Sequence, residues 1–507
     1  MSENSIETSN SLNFYNYLCQ KIGSEKVVKI RRLAFLIYNI GQSDTFISSG
    51  SKAEGLNLNG SDIDVMIVDC LYKVYESVTD VYIEGQGIPF VMNTDDTQPC
   101  FTQLYLNTHI TQNLTPEVYG SVLNMLQQRY LGYVLSSEQY KLFKLSSFGA
   151  EQIAKIHGPC VTDGNDSYDC AFCLKCDSWI FQAQPWIRRP RTAWPAPTLI
   201  YKIISYGVLF VPIGYKGSIH ENIEWRISFS EAEKILIFSF SHTQLLCYAL
   251  FKILLKEIIE KHEDLKGLLC SYFLKTLISE ETDPYVWRPD NLIPCFMACL
   301  ERLLYCVRYS ILPHYFIPDN NLFFLRFNTH SKNKLTTMLV NLYEQGINCF
   351  ASTDTLQNQQ NKSYGINKPF IRRNNVFLQQ LLPTFSIIRH VYCVDRVDRF
   401  WRLMYDFLHH HRTNLSSGLF ALQLSAAFMI VPEATRYPNS SGNKYHYVKY
   451  RHDLSHLMIG LHSDAVSGLL MLASFFYVQK KLPILINRNS IYSEEMYSRE
   501  HLSRIIK

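Results

Sequence analysis

The sequence predicts an α+β protein: a mixed strand-and-helix part, then a helical lobe, then an additional C-terminal helical region. Three observations carry this. Ile63, Val65 and Ile67 alternate with Asp62, Asp64 and Met66, which is the period of a strand. After Ser230 the apolar spacing changes to that of helices, over 235–260, 265–278 and 292–311. The stretch 351–367 is rich in Ser, Thr, Asn and Gln, a linker composition, and helical patterns resume beyond it over 375–411, 415–431 and 450–481.

The elements follow in chain order. Residues 1–11 are polar and read as a disordered tail. Over 12–39, Val27, Val28, Ile30, Leu33, Ala34 and Ile37 are spaced for the buried face of a long N-terminal helix, with Lys26, Lys29 and Arg32 on a shared flank. Further strands are expected at 80–83, 168–174, 208–212 and 224–229. The expected organisation is a mixed core over 12–232, a helical lobe over 233–350, a linker over 351–368 and the further helical region over 369–507.

Composition narrows the class. The chain has 507 residues, 47% hydrophobic and 13% aromatic, enough for large cores and unlike a disordered chain. Net charge is +4, so a polyanion partner would have to be met by local basic patches. The first residues lack a signal-peptide pattern. The longest apolar runs, 419–431 and 466–478, fall short of the about 20 residues a membrane-spanning helix needs. The 14 cysteines then read as reduced thiols in a cytoplasmic or nuclear protein.

The segment 48–68 carries chemistry. Gly50-Ser51 is followed by ten residues and then by Asp62-Ile63-Asp64 inside an apolar strand. Asp62 and Asp64 emerge on one face of that strand and repel each other unless a cation lies between them. Mg²⁺ suits the place, being a hard ion that takes one or two carboxylates and completes its shell with water and phosphate oxygens. Gly50 lets the backbone approach a phosphate, and the amide and hydroxyl of Ser51 can bond to it. A lone Asp-x-Asp is commonly a solvated strand edge. Beside Val65, Ile67 and Val68, two unpaired acids would be costly, and the upstream Gly-Ser supplies the other half of a phosphate site.

This Gly-Ser…Asp-x-Asp arrangement resembles the signature of the nucleotidyltransferase superfamily. Glu224-Trp225-Arg226-Ile227-Ser228-Phe229-Ser230, then 251–255, 270–276, 311–316 and Asn321-Leu322, resemble successive blocks of the male-abnormal twenty-one (Mab) family. That family includes cyclic GMP–AMP synthase and the animal cGAS-like receptors. The blocks at 208–212 and 170–176 are most similar to its invertebrate members. The resemblance covers about 12–343 and implies a nucleotidyltransferase fold: a twisted mixed sheet, flanking helices and a long N-terminal spine helix, followed by an HhH/H2TH-like lobe.

The resemblance also implies a third acid on a neighbouring strand. Asp169 fits, with Asp177 as the alternative nearer the strand end. Asp62, Asp64 and Asp169 would hold two Mg²⁺ ions, with Mn²⁺ as a substitute, one at the attacking ribose hydroxyl and one at the triphosphate. Lys252 and Ser271 would hold the triphosphate tail and Tyr272 would stack on a base. Arg226, Ser228 and Ser230 would contact the acceptor base, and Glu233 would lie near the donor nucleotide. The substrates implied are ATP and GTP, the product a cyclic dinucleotide, and the setting innate immunity. A double-stranded RNA or DNA activator is implied along the first long helix, with Lys26, Lys29, Arg31 and Arg32 as candidate contacts; Arg188, Arg189 and Arg191 around Trp186 form a second basic cluster.

The family pattern breaks between 234 and 252. Cyclic GMP–AMP synthase carries a zinc-binding insertion there; this interval offers only His242 and Cys247, and no zinc is expected. Cys170, Cys173 and Cys176 would alternate across a strand and so cannot converge on one ion. His452 and His456 have an i, i+4 spacing without a third ligand, and 409–411 reads as a solvated helix end. Two other readings stay open, a catalytically silent scaffold of the same fold and an RNA-terminal nucleotidyltransferase. The trigger, the base choice, the linkage and the oligomeric state are not legible.

Overall fold

The computed structural model describes residues 3–357, apart from 43–44, 59–60, 62, 85–86, 108–119, 121, 147–154, 163–167 and 281–282. The expected further helical region 369–507, with His452, His456 and 409–411, lies outside the described residues, as does 358–368 of the expected linker. The sheet and lobe below belong to one compact unit, Met1–Val28 with Thr45–Val376.

The N-terminus differs from expectation. Helix α1 (Glu3–Lys21) covers most of the expected disordered tail, and α2 (Glu25–Gln42) follows it. Gly23, at φ +137°, breaks what the pattern read as one long helix. The polar composition of 3–11 hides one anchored residue: Ser11 is fully buried, and its hydroxyl accepts from the Ile293 amide at 3.3 Å. Leu18 and Ile22 then enter the core of the helical lobe.

The strands are β1 (Phe46–Ser49), β2 (Ile63–Tyr75), β3 (Ile88–Asn93), β4 (Phe101–Leu106), β5 (Leu126–Arg129), β6 (Gly132–Leu135), β7 (Lys155–His157), β8 (Cys160–Thr162), β9 (Tyr168–Cys176), β10 (Val208–Val211) and β11 (Glu224–Ser228). They form one mixed sheet in the order β1-β2-β3-β4-β11-β10-β9-β8-β7, with β6 on β4 and β5 on β6 branching from it, and β2 also pairs with β9. Strand β2 makes this possible by its length. Its first half lies between antiparallel β1 and parallel β9, and after a register shift between Val68 and Lys73 its second half pairs with β3. The expected strand at 80–83 is instead helix α3 (Val78–Glu84). Ser77 and Asp80 explain it: the Asp80 carboxylate accepts from the Ser77 amide at 3.0 Å and its hydroxyl at 2.8 Å, closing the first turn.

Aromatic residues fill the space under the sheet. Trp179, Trp186, Trp225, Phe229 and Phe316 are all buried there, with Phe229 and Phe316 stacked at 4.6 Å. The indole of Trp225 donates to the Leu135 carbonyl at 2.9 Å. A smaller cluster of Ile47, Met66, Ala171, Cys173, Leu209 and Val211 lies beneath the functional row described below.

The helical lobe follows α4 (Ser230–Phe238), whose Ala232 and Leu236 still pack under the sheet. The pattern read 235–260 as one helix. The structure stops α4 and starts α5 (His242–Ile253) with a capping box between Ser241 and Gln244. Helices α6 (Ser271–Ser279), α7 (Leu292–Tyr309) and α8 (Thr329–Gln345) complete the lobe around Leu250, Phe251, Phe296, Leu303 and Phe323. The start of the expected linker is packed too: Thr353 and Leu356 are buried, and the Thr355 amide donates to Glu257 at 3.1 Å. No helix among the described residues is long and apolar enough to cross a membrane.

Trp225 ties β11 to the Leu135 carbonyl of β6 and fills the core under the sheet with one side chain. Trp225→Ala is expected to cost about 3–5 kcal/mol of unfolding free energy in urea; a loss below about 1 kcal/mol would show that the core closes without it.

Candidate active site

Four strands bring one residue each to the same row. Ser49 of β1 is the partner of Asp64 in β2, Asp64 is the partner of Asp169 in β9, and Asp169 is the partner of Thr162 in β8. Cross-strand partners point to one face, so the two carboxylates stand side by side between two hydroxyl residues. The Thr162 hydroxyl donates to Asp169 Oδ1 at 2.6 Å and fixes that carboxylate. One step deeper, Ile47, Met66 and Ala171 form the apolar floor.

Gly50 closes the row from the side. Its φ of +72° suits glycine, and a Cβ there would lie 1.7 Å from Asp64 Oδ2. Nearby Cys160 stays a thiol: burial pushes its pKa up to about 12, with Asp169 and Asp64 adding to the rise. Among the described residues two carboxylates meet at this point, with no third His, Cys, Asp or Glu converging on them; Asp62, the remaining expected ligand, lies outside the described residues. Two carboxylates with oxygen-bearing neighbours are the donor chemistry that a hard divalent cation takes, so the residues present fit Mg²⁺ or Mn²⁺. Asp177, the alternative acid, is committed elsewhere, paired with Lys175 at 2.8 Å and with Lys73.

The row opens into a cleft of about 1460 Å³. Gly50, Arg226, Ser228, Ser230, Glu233, Ser271 and Tyr272 line it together with Asp64 and Asp169. The Ser228 hydroxyl donates to Ser230 at 3.3 Å, and that of Ser230 meets the Met66 sulfur at 2.7 Å, directly below Asp64. Tyr272 lies against the His314 ring with centroids 5.1 Å apart. Two expected residues stand behind the wall. Ser51 is buried and gives its hydroxyl to Ser61 at 3.1 Å, while Lys252 sits 5.7 Å over the Tyr248 ring, its pKa lowered chiefly by burial.

The expected basic surfaces need correction. Lys26 and Lys29 are exposed on α2 and Arg32 is half-buried, but Arg31 is only 4% exposed. Arg31 is two residues beyond Lys29, which turns it about 200° round the helix onto the side of Val27, Ala34 and Tyr38. Arg189 is held by Glu280 at 2.6 Å and stacks on Tyr315; Arg191 is spent on the carbonyls of Ile187 and Arg189 and on the face of Trp186. The candidate zinc ligands of the 234–252 interval point apart: His242 meets the Cys19 sulfur at 3.6 Å, and Cys247 is fully buried in the lobe core. Cys173 and Cys176 enter different core clusters, as strand alternation requires.

Sequence reasoning missed Thr162, Glu54, Lys275 and His314. Lys275 pairs with Glu54 and lies 3.5 Å from Glu233, in the cleft. His314 Nδ1 accepts from the amides of Phe316 and Ile317, both at 3.1 Å, which leaves the proton on Nε2. The family resemblance of the block 270–276 pointed to Ser271 and Tyr272, and Lys275 one turn further on α6 shares their face; His314 lies in the block 311–316 but does not stand out there, and nothing local marks Thr162 or Glu54.

This arrangement of sheet, acidic row and helical lobe is that of a nucleotidyltransferase. Residues 161–239 match the Mab-21 protein nucleotidyltransferase domain, and 245–342 match the Mab-21 protein HhH/H2TH-like domain. The chain is 32% identical over 123 residues to the cyclic GMP-AMP synthase of Mus musculus, covering 21% of this chain and 24% of that one. It is 29% identical over 126 residues to the cyclic GMP-AMP synthase of Sus scrofa, covering 21% and 26%. The aligned part thus spans about a quarter of these relatives' length. The chain thus carries both Mab-21 domains over 161–342, and over part of its length it is similar to cyclic GMP–AMP synthase.

His314 gives the site a pH signature. Burial, helped by the charge of Arg226, lowers its pKa to about 3 from the ordinary 6.5. A depressed histidine contributes stability that is complete above about pH 6.5 and lost as pH falls toward 3, because the unfolded chain protonates first. Wild type is therefore expected to lose about 3 kcal/mol relative to His314→Asn between pH 7 and 4. Parallel stability–pH curves for the two proteins would remove His314 as the cause.

Proposed function

We propose that this protein is a Mg²⁺-dependent nucleotidyltransferase that joins ATP and GTP into a cyclic dinucleotide when a double-stranded nucleic acid activates it. The observation that carries the reading is the in-register placement of Asp64 beside Asp169, with Gly50 where a Cβ would collide with Asp64, on the wall of a nucleotide-sized cleft. The likeness to cyclic GMP-AMP synthase supplies the substrate class.

In this reading Asp64 and Asp169, with Asp62, hold the divalent ions. Bound there, the metal supplies charge neutralisation for the attacking hydroxyl and for the departing pyrophosphate. Asp169, steadied by Thr162, accepts the proton of the acceptor's ribose hydroxyl as its oxygen attacks the α-phosphorus. The bond from that phosphorus to the bridging oxygen breaks and pyrophosphate leaves; a second such step closes the ring. Gly50 keeps the carboxylate side of the cleft open to phosphate. Ser271 and Lys275 face the triphosphate and Lys252 backs them, Tyr272 offers a flat apolar platform to a base, and Arg226 offers a planar donor fork to the acceptor base edge. Ser228 and Ser230 border that base, and Glu233 the donor nucleotide. Lys26, Lys29 and Arg32 form the polyanion-facing flank of α2.

The test uses purified full-length protein with Mg²⁺ or Mn²⁺, labelled ATP and GTP, and double-stranded RNA or DNA, followed by phosphatase. A small phosphatase-resistant product is expected, reduced on the order of 10²-fold or more in Asp64→Asn at an unchanged melting temperature. Product from Asp64→Asn at the wild-type rate would refute the metal assignment. Lengthened RNA would mark a terminal nucleotidyltransferase, and no product under either nucleic acid would favour a scaffold.

A further inference from the structure

Lys275 is the cation of the cleft with two anions on it. Its ammonium pairs with Glu54 and lies 3.5 Å from Glu233 of α4. The Lys275 side chain is 13% exposed and that of Glu54 only 3%. Glu54 is held firmly: it ends the short helical turn Gly50–Ala53, and its amide donates to the Gly50 carbonyl at 3.1 Å. Lys252 and Lys275 approach the same Tyr248 ring, at 5.7 and 5.9 Å. Two ammonium groups around one ring, in a mostly buried place where burial and then Lys275 lower the Lys252 pKa, need counter-anions, because desolvated like charges are costly. Burial by itself would lower the Lys275 pKa; Glu54 first, then Tyr248 and Glu233, reverse this and hold it well above the ordinary lysine value.

A triphosphate entering this cleft brings the same chemistry that Glu54 already supplies, oxygen anions aimed at an ammonium. We propose that Glu54 is a resident counter-anion that stands in for a polyphosphate on Lys275, so that the cleft is self-neutralised until a nucleoside triphosphate takes the ammonium over. The proposal rests on the nucleotidyltransferase reading of this cleft and adds to it a competitor built into the Gly-Ser segment itself. Glu54 is thus a positioning residue, acting through Lys275 and setting how much negative charge a ligand must carry to be held. A ligand has to outbid a buried carboxylate, which favours triphosphates over weakly charged nucleotides. The same contact ties the first turn after β1 to α6, so ligand entry and the release of that tie are linked.

Calorimetric titration of inorganic tripolyphosphate into the full-length protein tests this without turnover, nucleic acid or added metal. A purely structural ion pair predicts weaker binding and a lower melting temperature when it is removed; a competing anion predicts tighter binding. Glu54→Gln is expected to bind tripolyphosphate about tenfold tighter than wild type, Glu233→Gln to gain less, and Lys275→Ala to lose binding. Should Glu54→Gln not fold, Glu54→Asp, which keeps the charge but withdraws it by one methylene, is expected to gain about threefold. Equal or weaker binding by the Glu54 variants, with binding still lost in Lys275→Ala, overturns the competitor role and leaves the cleft's reading intact. Absence of tripolyphosphate binding in wild type and Glu54→Gln alike overturns the nucleotide reading of the cleft, and the proposal with it.

Discussion

Parallel pairing of β2 with β9 is the constraint on which the site depends. It sets Asp64 directly against Asp169, two like charges that a fold would ordinarily keep apart. The sheet cannot relieve this by turning one strand over, because a one-residue slip would send Met66, Ala171 and Cys173 away from the apolar cluster they share. Packing of the floor therefore holds the charged row in place. Thr162 takes part of the load by donating to Asp169, and Gly50 leaves space for the Asp64 carboxylate where any other residue would collide with it. Two carboxylates held side by side in this way are a pair that a hard cation would bridge.

The second constraint joins the sheet to the lobe. Glu54, four residues after Gly50, reaches Lys275 on α6, and Glu233 at the start of α4 shares the contact. Elements far apart in sequence thereby converge on one ammonium. Arg226 projects its charge into the same cleft, where it helps keep His314 neutral, and His314 in turn braces Tyr272. Charges in this cleft are set as a group, so altering one moves the protonation of its neighbours.

Much of this was legible in the sequence, for physical reasons. Strands β2, β9, β10 and β11 show as short β-branched or aromatic runs, and the Gly-Ser and Asp-x-Asp motifs flank the connection from β1 to β2. The placement of Asp169 beside Asp64 came from family resemblance; strand pairing has no local code. What escaped were mostly features fixed by distant partners, with two local ones that periodicity alone does not show. Ser11 looks like a solvated tail until Ile293 meets it. The helical turn at Asp80 depends on a cap rather than on periodicity, and Arg31 extends a basic run of the sequence although helical geometry turns it inward. Glu54 and Lys275, 221 positions apart by their residue numbers, carry no mutual signal at all.

The central claim is that Asp64 and Asp169 together hold a divalent cation. Electron paramagnetic resonance of Mn²⁺ titrated into the nucleotide-free protein addresses it directly. The account predicts a bound population in wild type that disappears in Asp169→Asn while circular dichroism and melting temperature stay those of wild type. Mn²⁺ bound equally well by Asp169→Asn would contradict it.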